Sequence, residues 1–421
     1  MTKHSSLPRG VAVVGAGMCK FGAFPEKSSR DLFVEAYQDM IKSIDKGFDP
    51  EIIETIYTGN YSSDLFEGQG HTAPLIVDAI GLAPRPAVRV EDACASGGAA
   101  LRQGIIAVAS GMFDAVLVGG YEKMTNLPTS QVTDALGTAA DTLFENPAGF
   151  TFPGFYAAIA TAYMQKYGMT PQHLMKVALK NHENGALNPK AQFNMTIPDW
   201  MKGRVEAAIK KGKPAPSWQT VWDFLQDDAA NPMIAWPLRL FDCSPVTDGA
   251  AAVLLVPAER AHEFTDAPVY VIGTGQASDV ALHSRTDLTT LNAAKIAAHT
   301  AYEMAGVTPD DIRIAEVHDC FTIAEIVASE DLGFFAPGDG YRMADEGVTS
   351  RLGPKPINTS GGLKAKGHPV GASGVAQIIE LWKQMRGEAG DRQVPGDVPL
   401  ALTENVGATG TTCVVNIFER R

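Results

Sequence analysis

The chain writes one α/β pattern twice, and this constrains its fold more than any other feature. "GVAVVGAGM" (10–18) is a short apolar run ending in glycines, and "PVYVIGTGQ" (268–276) repeats it in the second half. Self-similarity in a fixed order implies two related folding units. Each run is followed by a helical stretch and then by a pair that aligns without gaps, "FDPEIIETIYTGNYS" (48–62) and "VTPDDIRIAEVHDCF" (307–321). Asp49 and Thr308 suit an N-cap, Pro50 and Pro309 stand at the first helical position where a missing N–H costs nothing, and a β-rich run follows each. A third pair, "CASGGAALRQGIIAVASG" (94–111) and "SGGLKAKGHPVGASGVAQIIELWKQMRG" (360–387), leads from Gly/Ala-rich turns into helices, and "DAVLVGG" (114–120) then answers "PLALTENVGATG" (399–410). Strands alternating with helices predict an α/β chain with mostly parallel sheets, whose ligands sit at strand C-terminal ends. Cys94, His318, Cys320, His368 and Gly407 all fall at such ends, drawn from both halves.

The duplication divides the chain into a half at residues 1–120, completed by a return segment at about 241–262, and a half at 263–421. Residues 121–240 break the rhythm and read as an inserted loop domain. There Trp200, Trp218, Trp222 and Trp236 accompany a basic cluster, Lys202, Arg204, Lys210, Lys211 and Lys213. A solvated helix face explains the cluster; a docking surface for cofactor phosphates or an oligomer contact is the sharper alternative. With 421 residues, 45% of them hydrophobic, the chain exceeds what one compact domain holds. Its net charge of -13 argues against general nucleic-acid binding, which depends on Lys and Arg neutralising phosphates. Five widely spaced cysteines without a C-x-x-C pair suggest free thiols in a cytoplasmic protein. "MTKHSSLPRG" lacks the apolar stretch of a signal peptide, and no run approaches the roughly 18 apolar residues of a membrane span.

Cys94 precedes a helical run, where unsatisfied N–H groups and the helix dipole lower a thiol's pKa, and Ala95, Ser96, Gly97 and Gly98 let the backbone turn sharply. A cysteine merely packed under a helix is the equal alternative. His368 is held between glycine and proline in "GHPVGASG" (367–374), and His318 and Cys320 stand two apart, so both could face one way in an extended segment. A nucleophile, a base, a second thiol for proton transfer and another imidazole suit acyl transfer and carbon–carbon cleavage. No further ligands cluster at zinc spacing, which disfavours a metal. Cys19, Cys243 and Cys413 read as core residues, and the glycines of "GAGMCKFG" lack the G-x-G-x-x-G spacing of a dinucleotide site.

"DACASGGAAL", "HDCF", "NTSGGLKAKGHPVGASG" and "ENVGATG", in this order, together with "FDCSPVTDGAAAVLLV" (241–256), resemble the thiolase superfamily over essentially the whole chain. The two histidines with their cysteines resemble its sterol-carrier-protein-type branch, in a layout similar to prokaryotic acetyl-CoA acetyltransferase-like members. The resemblance implies a five-layered α-β-α-β-α core of two duplicated halves plus the loop domain. It implies thiolytic cleavage of a 3-oxoacyl-CoA by CoA, or the reverse condensation, with no metal and no permanently bound cofactor. By motif, Cys94 is the acylated nucleophile, His368 activates it, and Cys320 transfers protons. Gly407 gives a backbone donor that joins the Cys94 N–H in one oxyanion hole, while His318 and His368 build the other. Asn405 stands where conventional thiolases keep their acid/base cysteine, and Thr409 where the branch usually has a second glycine. Phe155, Tyr156 and Ser244 are the implied CoA contacts. The family further implies a homodimer or tetramer, and some relatives act with a small zinc-ribbon/OB-fold acyl-CoA-binding subunit. A ketoacyl-synthase-like condensing enzyme, a retro-aldolase on the same scaffold, and a non-catalytic acyl-CoA-binding subunit are the alternatives.

Overall fold

The computed structural model describes residues 6–421. Among them eleven strands occur: β1 (Val11–Met18), β2 (Thr55–Gly59), β3 (Ala87–Val90), β4 (Val116–Glu122), β5 (Met233–Ala235), β6 (Leu238–Arg239), β7 (Gly249–Pro257), β8 (Val269–Ser278), β9 (Ile314–Glu316), β10 (Leu400–Gly407) and β11 (Thr412–Arg420). Apart from the small β5–β6 pair they form one sheet in the order β3-β2-β4-β7-β1-β8-β11-β10-β9. Read outward from the β1–β8 junction, β1 answers β8, β7 answers β11, β4 answers β10, and β2 answers β9. The repeat in the sequence is thus a repeat in space. β3 has a reduced counterpart, a single bridge between Ala315 and Ile357.

The sheet is mixed, not mostly parallel. Parallel pairing is confined to β2–β3, β2–β4 and β9–β10. The reason is local: residues 408–411 join β10 to β11 by a turn that only antiparallel neighbours allow, and β7 enters antiparallel between β4 and β1. Every residue of β1, β4 and β7 is buried, so these strands, apart from Glu122 at the end of β4, read as continuous runs without charge, covered on both faces.

The helix Ser29–Lys42 packs outside β1 and β7, and Asn292–Ala305 packs outside β8 and β11. Ser96–Ala109 and Ser373–Arg386 pack against each other and against strands of both halves, which makes them the middle layer of an α-β-α-β-α stack. Their glycines serve this contact. A Cβ on Gly374 would lie 2.3 Å from the Gly98 nitrogen, and one on Gly97 would lie 2.8 Å from the Gly371 oxygen. The strained turn expected of the Cys94 glycines falls instead on Ala93, whose φ of 49° is left-handed. Asp49 and Thr308 do cap, but each opens a single 3₁₀ turn before its strand.

Between β4 and β7 lie the helices Thr129–Gly137, Phe152–Tyr167, Pro171–Ala186, Ile197–Lys210 and Val221–Gln226. Trp200, Trp218 and Trp222 pack around Phe224 and Phe241 as a separate small core, whereas Trp236 is 62% exposed. Lys202, Arg204, Lys210, Lys211 and Lys213 are exposed, as a solvated face and a docking surface both require. A buried ion pair of Lys123 and Asp248, 2.6 Å apart, clamps the two ends of this excursion. Asp248 also accepts from the Phe24, Met124 and Thr125 N–H groups, so its charge is compensated. Glu122, next along the chain, accepts from the N–H groups of Tyr61, Ser62 and Gly371, and so ties the first half to the loop that carries His368.

Candidate active site

The ends of β3, β9 and β10 and the loop before Ser373–Arg386 converge on a cavity of about 140 Å³. Its wall includes Cys94, Cys320 and His368, surrounded by Met124, Leu136, Phe152, Pro153, Ser244, Val246, Phe321, Val370 and Ala408. Cys94 Sγ and one ring nitrogen each of His318 and His368 lie within 4.8 Å of one another. The two imidazoles meet edge to face, with centroids 5.0 Å apart and planes at 83°. Residues 94, 318 and 368 are distant in sequence, so a three-donor cluster with metal-compatible spacing forms where linear spacing showed none. A metal there would occupy the same thiol and imidazole lone pair that acyl chemistry needs.

The fifth expected residue, Gly407, does not line this cavity, whereas its neighbour Ala408 does. Gly407 is still paired with Thr412 in the ladder and lines a separate cleft with Tyr61, Asp92 and Thr412. The backbone of Ala408, and that of Cys94 itself, favour the charged form of the Cys94 thiol. Ala408 has a φ of 53°, and this left-handed step turns the chain out of the ladder. Of the three implied CoA contacts, Ser244 lines the cavity, and its N–H donates to the Cys320 carbonyl at 2.9 Å. Phe155 and Tyr156 are buried behind the wall. Phe155 stacks on Phe150, and Tyr156 stacks on Phe321 with its hydroxyl donating to the Ala408 carbonyl at 3.3 Å. The neighbouring Phe152 and Pro153 reach the cavity in their place. Cys19 and Cys413 are core residues, but Cys243 lines the cavity and its thiol donates to the Arg239 carbonyl.

Residues without an obvious motif role hold the reactive ones. Ser373 Oγ lies 2.7 Å from His368 Nδ1 and 3.0 Å from the Pro369 carbonyl. A carbonyl can only accept, so the hydroxyl donates to Pro369 and accepts from a protonated Nδ1. That leaves Nε2 of a neutral His368 as a free lone pair. Asp319 accepts from the Leu363 and Lys364 N–H groups and from Asn181, which binds the "HDCF" segment to the one before His368. Glu404 accepts the His318 backbone N–H at 2.8 Å. The Ser373 signal was present in the sequence as a hydroxyl five residues beyond His368.

The helix N-terminus does not make Cys94 a resting thiolate. Burial pushes its thiol up to about 12, against the opposing pull of the Ala408 N–H. Burial, with the nearby Lys366 charge, pushes His368 down to about 3. The pair therefore rests as neutral thiol and neutral imidazole, and a thiolate forms only when the thiol gives up its proton. Since only thiolate reacts and the folded pKa is raised, the log rate of Cys94 alkylation by iodoacetamide is expected to climb by about one per pH unit from pH 6 to 9. A plateau above pH 7 would show a resting ion pair.

The thiolase N-terminal domain model matches residues 11–259, and the thiolase C-terminal domain-like model matches residues 275–420. The chain belongs to the thiolase family, a class of acyltransferases. It is 46% identical over 413 residues to acetyl-CoA acetyltransferase of Methanothermobacter thermautotrophicus, covering 98% of this chain and 100% of that one. It is 31% identical to human sterol carrier protein 2, covering 96% of this chain and 71% of that one. Among solved structures, the Ltp2-ChsH2(DUF35) aldolase superposes with a TM-score of 0.79 at 24% identity, over 98% of each chain. Human mitochondrial 3-ketoacyl-CoA thiolase in complex with CoA superposes with a TM-score of 0.68 at 19% identity, over 100% of each. These two likenesses concern the fold. No helix among the described residues is long and apolar enough to cross a membrane.

Proposed function

We propose that this thiolase works through an acyl-enzyme on Cys94, cleaving a short 3-oxoacyl-CoA with CoA or forming acetoacetyl-CoA in reverse. The observation that carries the reading is the meeting of the Cys94 sulfur with a nitrogen of His318 and of His368, where Cys94 and His368 share a cavity wall with Cys320 and His318 is buried beside them. The name of the archaeal relative and the small apolar enclosure formed by Met124, Leu136 and Phe152 both favour an acetyl-sized acyl group.

His368 Nε2 takes the Cys94 proton, and the sulfur attacks C3 of the substrate. The oxyanion that develops is met by the N–H groups of Cys94 and Ala408. Collapse breaks the C2–C3 bond, leaves the acyl group on sulfur and releases the thioester enolate. His318 and the now-protonated His368 donate to the enolate oxygen while Cys320 gives its proton to carbon. The Cys320 thiolate then takes the proton of incoming CoA, whose sulfur attacks the acyl-enzyme. The shortened acyl-CoA departs, and His368 returns its proton to Cys94. Because His368 becomes a donor only after accepting this proton, the second oxyanion hole is completed by the first step of the cycle.

In this reading residues 121–240 form the loop domain, which walls the cavity through Phe152 and Pro153 and receives CoA together with Ser244. A cytoplasmic homodimer or tetramer is the expected assembly. A small zinc-ribbon/OB-fold acyl-CoA-binding subunit is the partner we would add, since the Ltp2 relative is paired by name with ChsH2(DUF35). The test is brief incubation with short-chain 3-oxoacyl-CoAs without free CoA, followed by peptide mass spectrometry. Acyl mass confined to Cys94 and removed by CoA is expected; an adduct on another residue, or none with or without the added subunit, would overturn the reading.

A further inference from the structure

Asn405 lies buried in β10 and touches three groups of the site. Its Oδ1 accepts the Gly98 N–H at 3.0 Å, its Nδ2 donates to the Cys94 carbonyl at 3.0 Å, and the same Nδ2 lies 3.1 Å from His318 Nδ1. These partners fix the amide's orientation. The Gly98 N–H can only donate and the Cys94 carbonyl can only accept, so the oxygen must face the first and the NH₂ group the second. The second amide hydrogen is then left for His318 Nδ1, which must be the unprotonated nitrogen. A neutral imidazole with a bare Nδ1 carries its hydrogen on Nε2. His318 Nε2 is buried with no hydrogen-bond partner among the described residues.

We propose that Asn405 is a positioning residue whose amide locks His318 in the Nε2–H tautomer, so that this imidazole donates to a substrate oxygen and cannot act as a base. Ser373 does the opposite for His368, baring its Nε2. Two neighbouring histidines of similar burial are thus assigned opposite duties, one as resting donor and one as resting acceptor, by one amide and one hydroxyl. Burial drives the pKa of His318 well down, so its tautomer and not its charge decides what it offers. The same amide joins the first turn of Ser96–Ala109 and the carbonyl of the nucleophile to the histidine, which holds the three parts of the site in register.

The inference rests on the thiolase cycle proposed above, and its test separates the two. Asn405→Asp keeps an oxygen for Gly98 but presents an acceptor to His318 Nδ1, drawing the hydrogen there and stripping it from Nε2. Acylation of Cys94 by acetyl-CoA, a thioester exchange that uses the backbone donors and forms no enolate, is expected to fall by less than about tenfold. Exchange of the acetyl-CoA methyl hydrogens with D₂O, which needs the enolate, is expected to fall by about 10²–10³-fold, the usual loss for one oxyanion donor. Should the variant not fold, ¹⁵N NMR of the wild-type protein tests the point directly: His318 Nδ1 is expected to be pyridine-like and Nε2 pyrrole-like. A wild-type protein that never acylates Cys94 would sink the cycle itself. A protonated Nδ1 in the wild type, undiminished exchange in the variant, or equal loss of acylation and exchange would overturn the role of Asn405.

Discussion

Cys94→Ala is expected to lower turnover of acetoacetyl-CoA by about 10⁴-fold or more while leaving acyl-CoA binding in place. The side chain is small and sits in an apolar cluster with Tyr61, Phe66, Met124 and Val132, so losing one sulfur atom costs only about 1 kcal/mol of stability. No neighbouring thiol is placed to substitute. Cys243 shares the cavity, but burial pushes it up to about 12 and its hydrogen is engaged by the Arg239 carbonyl. Cys320 is buried against Tyr156, and burial raises its pKa well above that of a free thiol, so it is a poor nucleophile at neutral pH. Steady-state thiolysis and calorimetric titration with an acyl-CoA check the two halves of this expectation. The result also separates the acyl-transfer cycle from retro-aldol cleavage on this scaffold, for which no acyl-enzyme is needed. Turnover above about a hundredth of wild type would mean that carbon–carbon cleavage proceeds without the sulfur.

The repeat of strand and helix patterns revealed the duplicated architecture because periodicity and turn chemistry are local properties of a chain. Strand direction was less accessible. The antiparallel entry of β7 between β4 and β1 is set by an excursion of over a hundred residues whose ends are clamped by Lys123 and Asp248. The reactive side chains stood out because Cys94, His318, Cys320 and His368 occupy strand-end loops, where side chains serve ligands more often than packing. What they needed for orientation did not stand out. Asn405 bonds across more than 300 positions to the Cys94 carbonyl, and nothing in "ENVGATG" announces that partner. The placement of Ala408 on the cavity wall, while Gly407 stays in the ladder, has a similar cause: it involves a left-handed φ at an alanine, where sequence reasoning expects a glycine. The resting charge of Cys94 departs from what its place before a helix suggests, because a helix N-terminus contributes a fraction of a charge, whereas burial in an apolar wall costs a thiolate far more.

Cys320→Ser is expected to cut turnover by about 10²–10⁴-fold, the range lost with a general acid–base group, while Cys94 is still acylated by acetyl-CoA. The thiol is held by its backbone: its carbonyl accepts the Ser244 N–H at 2.9 Å, and Phe321 bridges to Cys243. Burial raises its pKa well above that of a free thiol, offset only in part by the nearby Tyr156 hydroxyl. A raised pKa suits the task. A thioester enolate is a strong carbon base and takes a proton even from a weak acid, after which the thiolate is basic enough to deprotonate CoA. A serine hydroxyl is a far weaker acid than any thiol in that position, so the same shuttle would need an alkoxide in an apolar wall. Turnover of a 3-oxoacyl-CoA should therefore stall with the enolate unprotonated, whereas acetyl-CoA, whose thioester exchange onto Cys94 forms no enolate, should still label the sulfur. A decarboxylating condensing enzyme generates its carbanion by loss of CO₂ and has no use for this proton. Retention of more than about a tenth of wild-type thiolysis in Cys320→Ser would remove Cys320 from the cycle and return the site to that rival chemistry.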